Sequence, residues 1–449
     1  MNSNSLTEGK ITKSIILFAI PLFIGNVFQQ FYNVADTAII GHVLGDHALA
    51  AIGASASLYS LVIGFAHGIT NGFAVIIARY FGAKDEKGLR RTVAWTYALS
   101  TIVAVTLTIL SLVFLHPILV ALKTPEDIIG ETQMYLRIVL GGAIVTCFYN
   151  MFAAMMRAIG NSRTPLYFLI LASAINVALD ILFVKYLNMG INGAAIATVI
   201  AQVISVVLCV VCICKKYRVL VLSFNELKWD KELITELSSL GMSMGLMIVV
   251  VSIGSVALQS AVNSLGSDII AAHITARKVD EIFMLPLSSI SIAASTFASQ
   301  NLGAGKTDRI KKGILRCIMI DWVWSLFAAF VVFLFGRQLI YLISGTGNSF
   351  VMDTANQYIR INISFFMILS VLLVLRSSLQ GLSRKLVPIM GSVVELIFKF
   401  GAVGIITRKL GYFGVCILEP VIWCVCALMV LWDYMRYMKS INDNAKITD

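Results

Sequence analysis

Of the 449 residues, 58% are hydrophobic and only 13% are charged, with a mean hydropathy of +0.87; soluble domains carry about 25% charged residues, so a soluble globular fold is excluded. The formal net charge of +11 does not indicate a nucleic-acid partner, because the Lys and Arg residues fall in short breaks between apolar runs and form no single basic face. All eight cysteines (Cys147, Cys209, Cys212, Cys214, Cys317, Cys416, Cys424 and Cys426) lie in or at the end of such runs. They read as small packing residues and not as a disulfide framework.

A hydrocarbon core of about 30 Å needs about 20 apolar helical residues per crossing. Runs of that kind occur at 14–40, 48–77, 93–115, 134–156, 165–187, 191–214, 236–263, 269–298, 314–335, 354–380, 387–407 and 412–434. The polar start MNSNSLTEGKITKS leads into a run too long for a signal-peptide core, so the first helix is expected to remain uncleaved. The breaks at Lys84 to Arg91, Arg157 to Arg163, Lys215 to Arg218, Lys306 to Lys312 and Arg384 to Lys385 are basic, whereas HPILVALKTPEDIIGE is acidic. By the positive-inside bias both termini are expected on the cytoplasmic side of the plasma (inner) membrane. The expected organisation is an N-lobe over 1–214, a cytoplasmic linker over 215–235 and a C-lobe over 236–449. The fold class is thus an all-α integral membrane protein of about twelve transmembrane helices in two pseudo-symmetric six-helix lobes.

The halves repeat. A shift of 221 positions pairs LGDHALAAIGAS (Leu44 to Ser55) with LGSDIIAAHITA (Leu265 to Ala276), and YFGAKDEKGLRR (Tyr80 to Arg91) with NLGAGKTDRIKK (Asn301 to Lys312). MRAIGNSRTP and LQGLSRKLVP match at 223. Six helices per half is an even number, so the copies are parallel repeats about an axis along the membrane normal, a plan used by secondary transporters.

An ionisable side chain at membrane depth costs about 2.5–3.5 kcal/mol on insertion scales, so it belongs in a bundle interior or a wet cavity. Asp36, in QQFYNVADTAIIG, stands roughly 34 Å along its helix from Lys13, and Asp180, in SAINVALDILF, roughly 25 Å from Arg163. Thr198 lies roughly 10 Å from Ile191 at the opposite edge, which brings all three to one depth. Asn176 and Asp180 share a helix face, and Gln29, Tyr32, Asn33 and Asp36 fall on one stripe. Such a pocket of oxygen ligands suits a shared proton or a small hard cation such as Na+.

The chain resembles the MATE (multidrug and toxic compound extrusion) family. The likeness rests on Pro21, Gln29, Tyr32, Asn33, Asp36 and Gly41 in the first helix, on FGAKD and NLGAGK after helices two and eight, and on RAIGNSRTP followed by NVALD. The resemblance implies two lobes around a central cleft and export of small organic, often cationic, compounds in exchange for H+ or Na+. It also implies that Asp36, Asn176, Asp180 and Thr198 form an N-lobe cation site beside Tyr32, and that the helix bends at Pro21. In the second half Asp36 pairs with Ala257, and Asn176 and Asp180 with Lys399 and Val403. Glu395 and Lys399 are spaced for an i,i+4 ion pair that reads as structural. Gln259 and Asp280 are candidates for a C-lobe polar site, although the stretch SIGSVALQSAVNS of the seventh run carries Gln259 and no Glu.

No nucleotide-binding motif is present, so no enzymatic activity and no cofactor are expected, and the energy source is a gradient. The expected partners are small organic substrates and the lipid bilayer, with no nucleic acid, and the chain is expected to work as a monomer. The alternative is a flippase for a lipid-linked saccharide precursor, which calls for a cationic cleft.

Overall fold

A computed structural model describes residues 5–448, with the side chains of 46, 402–408 and 442–448 outside that description; the expected counterpart of Asp180, Val403, is among the latter. The described residues form helices and no strand. The first half contains α1 (Ile11–Leu44), α2 (Asp46–Gly82), α3 (Glu86–Val113), α4 (Leu115–Ala121), α5 (Glu126–Gly141), α6 (Ala143–Ala158), α7 (Arg163–Asp180) and α8 (Gly190–Lys216). The second contains α9 (Lys231–Asn263), α10 (Ser267–Gly303), α11 (Thr307–Ser344), α12 (Ser349–Ser364), α13 (Phe366–Gly381) and α14 (Leu386–Thr448), the last broken at Gly411 (φ 55°, ψ −140°).

Among the described residues nine helices are long and apolar enough to cross a membrane, and eleven crossings result when each of two bent pairs counts as one. The expected span 134–156 is such a pair, α5 and α6, bent by 45°, and 354–380 is the other, α12 and α13, bent by 54°. The first bend falls at the doublet Gly141 and Gly142. At the second, the Asn362 amide donates to the Tyr358 carbonyl at 3.0 Å and the Ser364 hydroxyl to Arg360 at 2.7 Å, so side chains compete for carbonyls that a continuous helix would use. The expected span 387–407 coincides with the first part of α14.

Backbone conformation carries the duplication more clearly than side chains do. Left-handed residues recur in pairs: Gly45 with Gly266, Lys84 with Gly305, Lys123 with Gly345, Gly160 with Ser383 and Gly190 with Gly411. The offset is 221 for the first two pairs, 222 for the third, 223 for the fourth and 221 again for the last. Between Gly160 and Gly190 the first half is therefore two residues longer than the second is between Ser383 and Gly411. That stretch contains a π-helical segment, Ile181–Tyr186, which continues α7 directly after Asp180. An extra residue inside a helix is accommodated by such a widened turn, often at a functional site.

The compact units differ from the expected lobes. One is built on Ile20–Ile248 and the other on Leu6–Ala19 with Val249–Asp449, so the division falls inside α1 and α9 and not in 215–235. Residues 217–230, expected as a linker, run through two short 3-10 turns and dock on the first unit. There Tyr97 donates to the Leu220 carbonyl at 3.1 Å, Trp95 to Lys228 at 3.1 Å, and Arg91 pairs with Asp230 at 3.1 Å. Asp230 also caps α9 by accepting from the Leu233 N–H at 3.1 Å. That N–H, with Arg91, holds its carboxyl below the ordinary value. In the second unit the opening segment is held by its backbone. Leu6 donates to Gln300 Oε1 at 2.9 Å, Lys306 to the Thr7 carbonyl at 2.9 Å, and Arg309 to those of Glu8 and Gly9 at 2.7 and 2.8 Å.

Within the first unit, α2 and α9 meet through two small-residue pairs. A Cβ on Gly68 would stand 2.7 Å from the Gly245 Cα, and one on Gly72 2.6 Å from the Gly241 Cα. Lipid tails are as apolar as Leu, so helices in a bilayer associate through such close backbone approach. Arg79 on α2 then clamps Glu236 on α9 in a bidentate pair with both contacts at 2.6 Å, geometry only a guanidinium supplies. Gly72→Ala is expected to destabilise the purified protein by about 1–3 kcal/mol, since backbone cannot step aside. Gly53→Ala, whose added methyl meets nothing within 4 Å, should leave the thermal midpoint in detergent unchanged.

Candidate functional site

The first unit brings five of the expected polar residues together in its interior. Asp180, the last residue of α7, is fully buried at 0% exposure, and Asn176 one turn before it is at 2%. With its amide nitrogen turned toward the acid, Asn176 donates to Asp180 Oδ2 at 2.9 Å and accepts from the Thr198 N–H at 3.1 Å; the hydrogen-bond network decides this orientation. Thr198, on α8, donates its hydroxyl to the Ala194 carbonyl at 3.1 Å. Asp36 reaches in from the second half of α1, and its carboxyl lies within hydrogen-bonding range of that of Asp180. Tyr32, one turn before Asp36, comes beside Thr198.

Two ionised carboxylates have no proton to offer each other, so a hydrogen bond between them requires one proton on the pair. Without it their repulsion is about 4 kcal/mol at 4 Å and an effective dielectric of 20. Each acid also keeps one buried oxygen, Asp36 Oδ1 and Asp180 Oδ1, with no protein donor. The pocket therefore has anionic acceptor capacity that protein groups leave unmet, which is the chemistry a proton or a hard monovalent cation fits.

Gln29 and Asn33 do not join this pocket. Both are exposed, and their side chains meet each other at 3.5 Å. Successive helical residues are turned about 100° apart, so a site that receives Tyr32 turns Asn33 away. Pro21 lies inside α1, two residues beyond the division between the compact units at Ala19 and Ile20. Gln259 donates to Asn263 on its own helix at 2.9 Å, whereas Asp280 is 4% exposed with Oδ1 unpartnered. No hydrogen bond joins Gln259 and Asp280 among the described residues. His67 is met by Asn71 Nδ2 at 3.1 Å, and Asn71 accepts from Arg157 at 3.2 Å.

Sequence reasoning missed two tyrosines near the pocket. Tyr59 and Tyr135 stand within electrostatic reach of the Tyr32, Asp36 and Asp180 group; nothing in their own runs distinguishes them from packing aromatics. It also missed Asp321, 0% exposed on α11 with neither carboxyl oxygen partnered, although an acid in the apolar run RCIMIDWVWSL is a readable signal. In the second unit the expected pair forms, Lys399 Nζ to Glu395 Oε1 at 2.8 Å, and Glu419 joins it at 3.2 Å. Arg277 stands 3.6 Å from Glu419 and 3.9 Å from Glu281.

A family model described as MatE matches residues 21–182 and 243–401, one block in each half of the chain. The chain is 30% identical over 345 residues to "Probable multidrug resistance protein YoeA" of Bacillus subtilis (strain 168), covering 75% of this chain and 74% of that one. It is 26% identical over 441 residues to "Probable multidrug resistance protein YpnP" of the same organism, covering 97% and 98%. Its fold superimposes with a TM-score of 0.91, at 22% identity and 98% and 99% coverage, on a structure described as the "Outward-facing conformation of a multidrug resistance MATE family transporter of the MOP superfamily". With the matched blocks falling one on each repeat of a two-lobed helical membrane fold, the chain belongs to the MATE family of membrane transporters.

Proposed function

We propose that this chain is a secondary active exporter of small organic compounds, driven by inward flow of H+ or Na+ through the pocket of Asp36, Asn176, Asp180 and Thr198. The relatives' description as multidrug resistance proteins supports the export of varied compounds. The single observation that carries the coupling role is the pair of facing acids, each with a buried oxygen that no protein donor meets. A buried acid pair with that much unused acceptor capacity is costly to maintain, and taking up a proton or cation relieves the cost. A ligand shifts a conformational equilibrium only through different affinities for the two states. The pocket drives transport if the outward-open form exposes and hydrates it while the other form encloses it. The basic loops support cytoplasmic termini, with the pocket near the outer face.

The direct test is reconstitution into liposomes with a pH gradient or an Na+ gradient imposed separately, and a fluorescent organic cation as substrate. Export should follow one gradient and ignore the other. Asp36→Asn and Asp180→Asn should each lower gradient-driven export about 5- to 150-fold, the size of a 1–3 kcal/mol coupling. Export that ignores both gradients, or that survives both substitutions intact, would defeat the proposal. Movement of a lipid-linked saccharide with neither gradient would favour a flippase instead.

Asn176 makes its two bonds inside the pocket, so Asn176→Leu should weaken the apparent affinity for the coupling ion by about tenfold or more, as expected for losing a hydrogen bond to a charged group. Asn33→Leu, on the exposed side of α1, should leave that affinity unchanged in the same concentration series.

A further inference from the structure

The second unit carries, at the positions equivalent to the coupling pocket, a cation of its own. The left-handed residues fix the correspondence: the 223 offset established at Gly160 and Ser383 places Lys399 where the first unit has Asn176, and the 221 offset at Gly190 and Gly411 places Glu419 where it has Thr198. The same 223 offset sets Tyr358 at the place of Tyr135. Lys399 is 2% exposed on α14, so its ammonium has almost no access to water. Its acid partners are Glu395 Oε1 at 2.8 Å and Glu419 Oε1 at 3.2 Å. The Glu419 contact is the looser of the two ion pairs. Room for the lysine stem comes from Gly254 on α9, where a Cβ would stand 2.9 Å from Lys399 Cδ.

An ion pair placed only to tie helices together is poorly explained by this arrangement. Taking a lysine and two carboxylates out of water is costly, and apolar residues of similar volume often stabilise as well or better. The glycine that makes space for the stem and the symmetry-related position both point to occupation of a defined place. We propose that Lys399 is a tethered substitute for the exchanged ion: Glu395 and Glu419 form a latent monovalent-cation site in the second unit, held closed to exchange by the ammonium of the chain itself. This rests on reading the first-unit pocket as an ion site. It makes the charge between Glu395 and Glu419 constant through the transport cycle.

Removing the tethered charge should open the latent site. Other charged or titratable groups around it include Arg277, Asp280, Glu281 and His273 on α10, Tyr358 on α12, Arg376 on α13 and Cys426 on α14, so the test must isolate the two glutamates. Thermal unfolding of the purified full-length protein would be followed in NaCl against choline chloride at constant ionic strength, and at pH 5.5 against 7.5. Asp36→Asn alone should show little response to Na+ or acid. Asp36→Asn with Lys399→Asn, or with the isosteric Lys399→Met, should gain a stabilisation of several degrees from Na+ if the site takes a metal ion, or from acid if it takes a proton. Adding Glu419→Gln should abolish that gain. A variant that folds only in the presence of Na+ or acid also supports the proposal. No gain with either cation, a gain that survives Glu419→Gln, or failure to fold under every condition overturns it. A full response remaining in Asp36→Asn would defeat the first-unit reading alone, and the Lys399 arms would then be judged against the parent chain.

Discussion

Two carboxyl groups held at hydrogen-bonding range inside a membrane protein cannot both be ionised without strong repulsion, and this constraint organises the first unit. Asp36 comes from α1 and Asp180 from α7, while the amide of Asn176 and the hydroxyl of Thr198 supply the polar surroundings. The pair is also mechanically exposed to its helices. The backbone of α7 changes from α to π immediately after Asp180, in the stretch where the first half is two residues longer than the second between its left-handed glycines. A widened turn there resets the rotation of the helix at the acid itself, so small changes in that turn alter the distance between the carboxyls.

Helix α1 connects this electrostatic constraint to the rest of the chain. Its opening turns pack with the second unit, where the Leu6 to Gly9 backbone is gripped by Gln300, Lys306 and Arg309. Its remainder belongs to the first unit and carries Asp36. Pro21 falls just past that division, where its missing N–H leaves the carbonyl one turn earlier without its helical partner. Helix α9 is divided in the same way, its first part locked on α2 by glycines and by the Arg79 and Glu236 clamp. Each dividing helix is thus held by specific contacts near its start, α1 in the second unit and α9 in the first.

The acids of the first-unit pocket were legible in the sequence because an ionisable group in an apolar run carries a cost that must be met by partners, and the constant helical rise converts sequence distance into depth. Asn176 and Thr198 followed from face and depth, and their roles from the family resemblance. What was not legible depended on rotation and on contacts far apart in the chain. Gln29 and Asn33 share a stripe with Asp36 by spacing, yet the step between Tyr32 and Asn33 sends one into the pocket and the other out. Tyr59 and Tyr135 come within electrostatic reach of the pocket from runs of ordinary aromatic character. The division of α1 and α9 between units follows from packing that periodicity does not encode. The bend at Phe365 arises from back-bonding by Asn362 and Ser364, which a run of apolar and polar letters does not distinguish from a straight span.

Duplication gives two copies of the same backbone positions, and the two copies have taken opposite electrostatic solutions. In the first, an amide and a hydroxyl leave two acids with unmet acceptor capacity; in the second, a lysine and a glutamate at the same positions supply both charges from the chain. An internal ammonium differs from a free ion in one respect that matters for a cycle: it cannot leave, so its interaction with the acids is the same whatever the concentrations on the two sides of the membrane. Only a pocket that exchanges its cation can convert a gradient into a conformational bias, because only there does occupancy differ between states. A second exchanging pocket would require both to fill before the change, making the response steeper in ion concentration and slower when the gradient is weak. A cation supplied by the chain at Lys399 is thus indifferent to the gradient at that position, whatever the first-unit pocket binds.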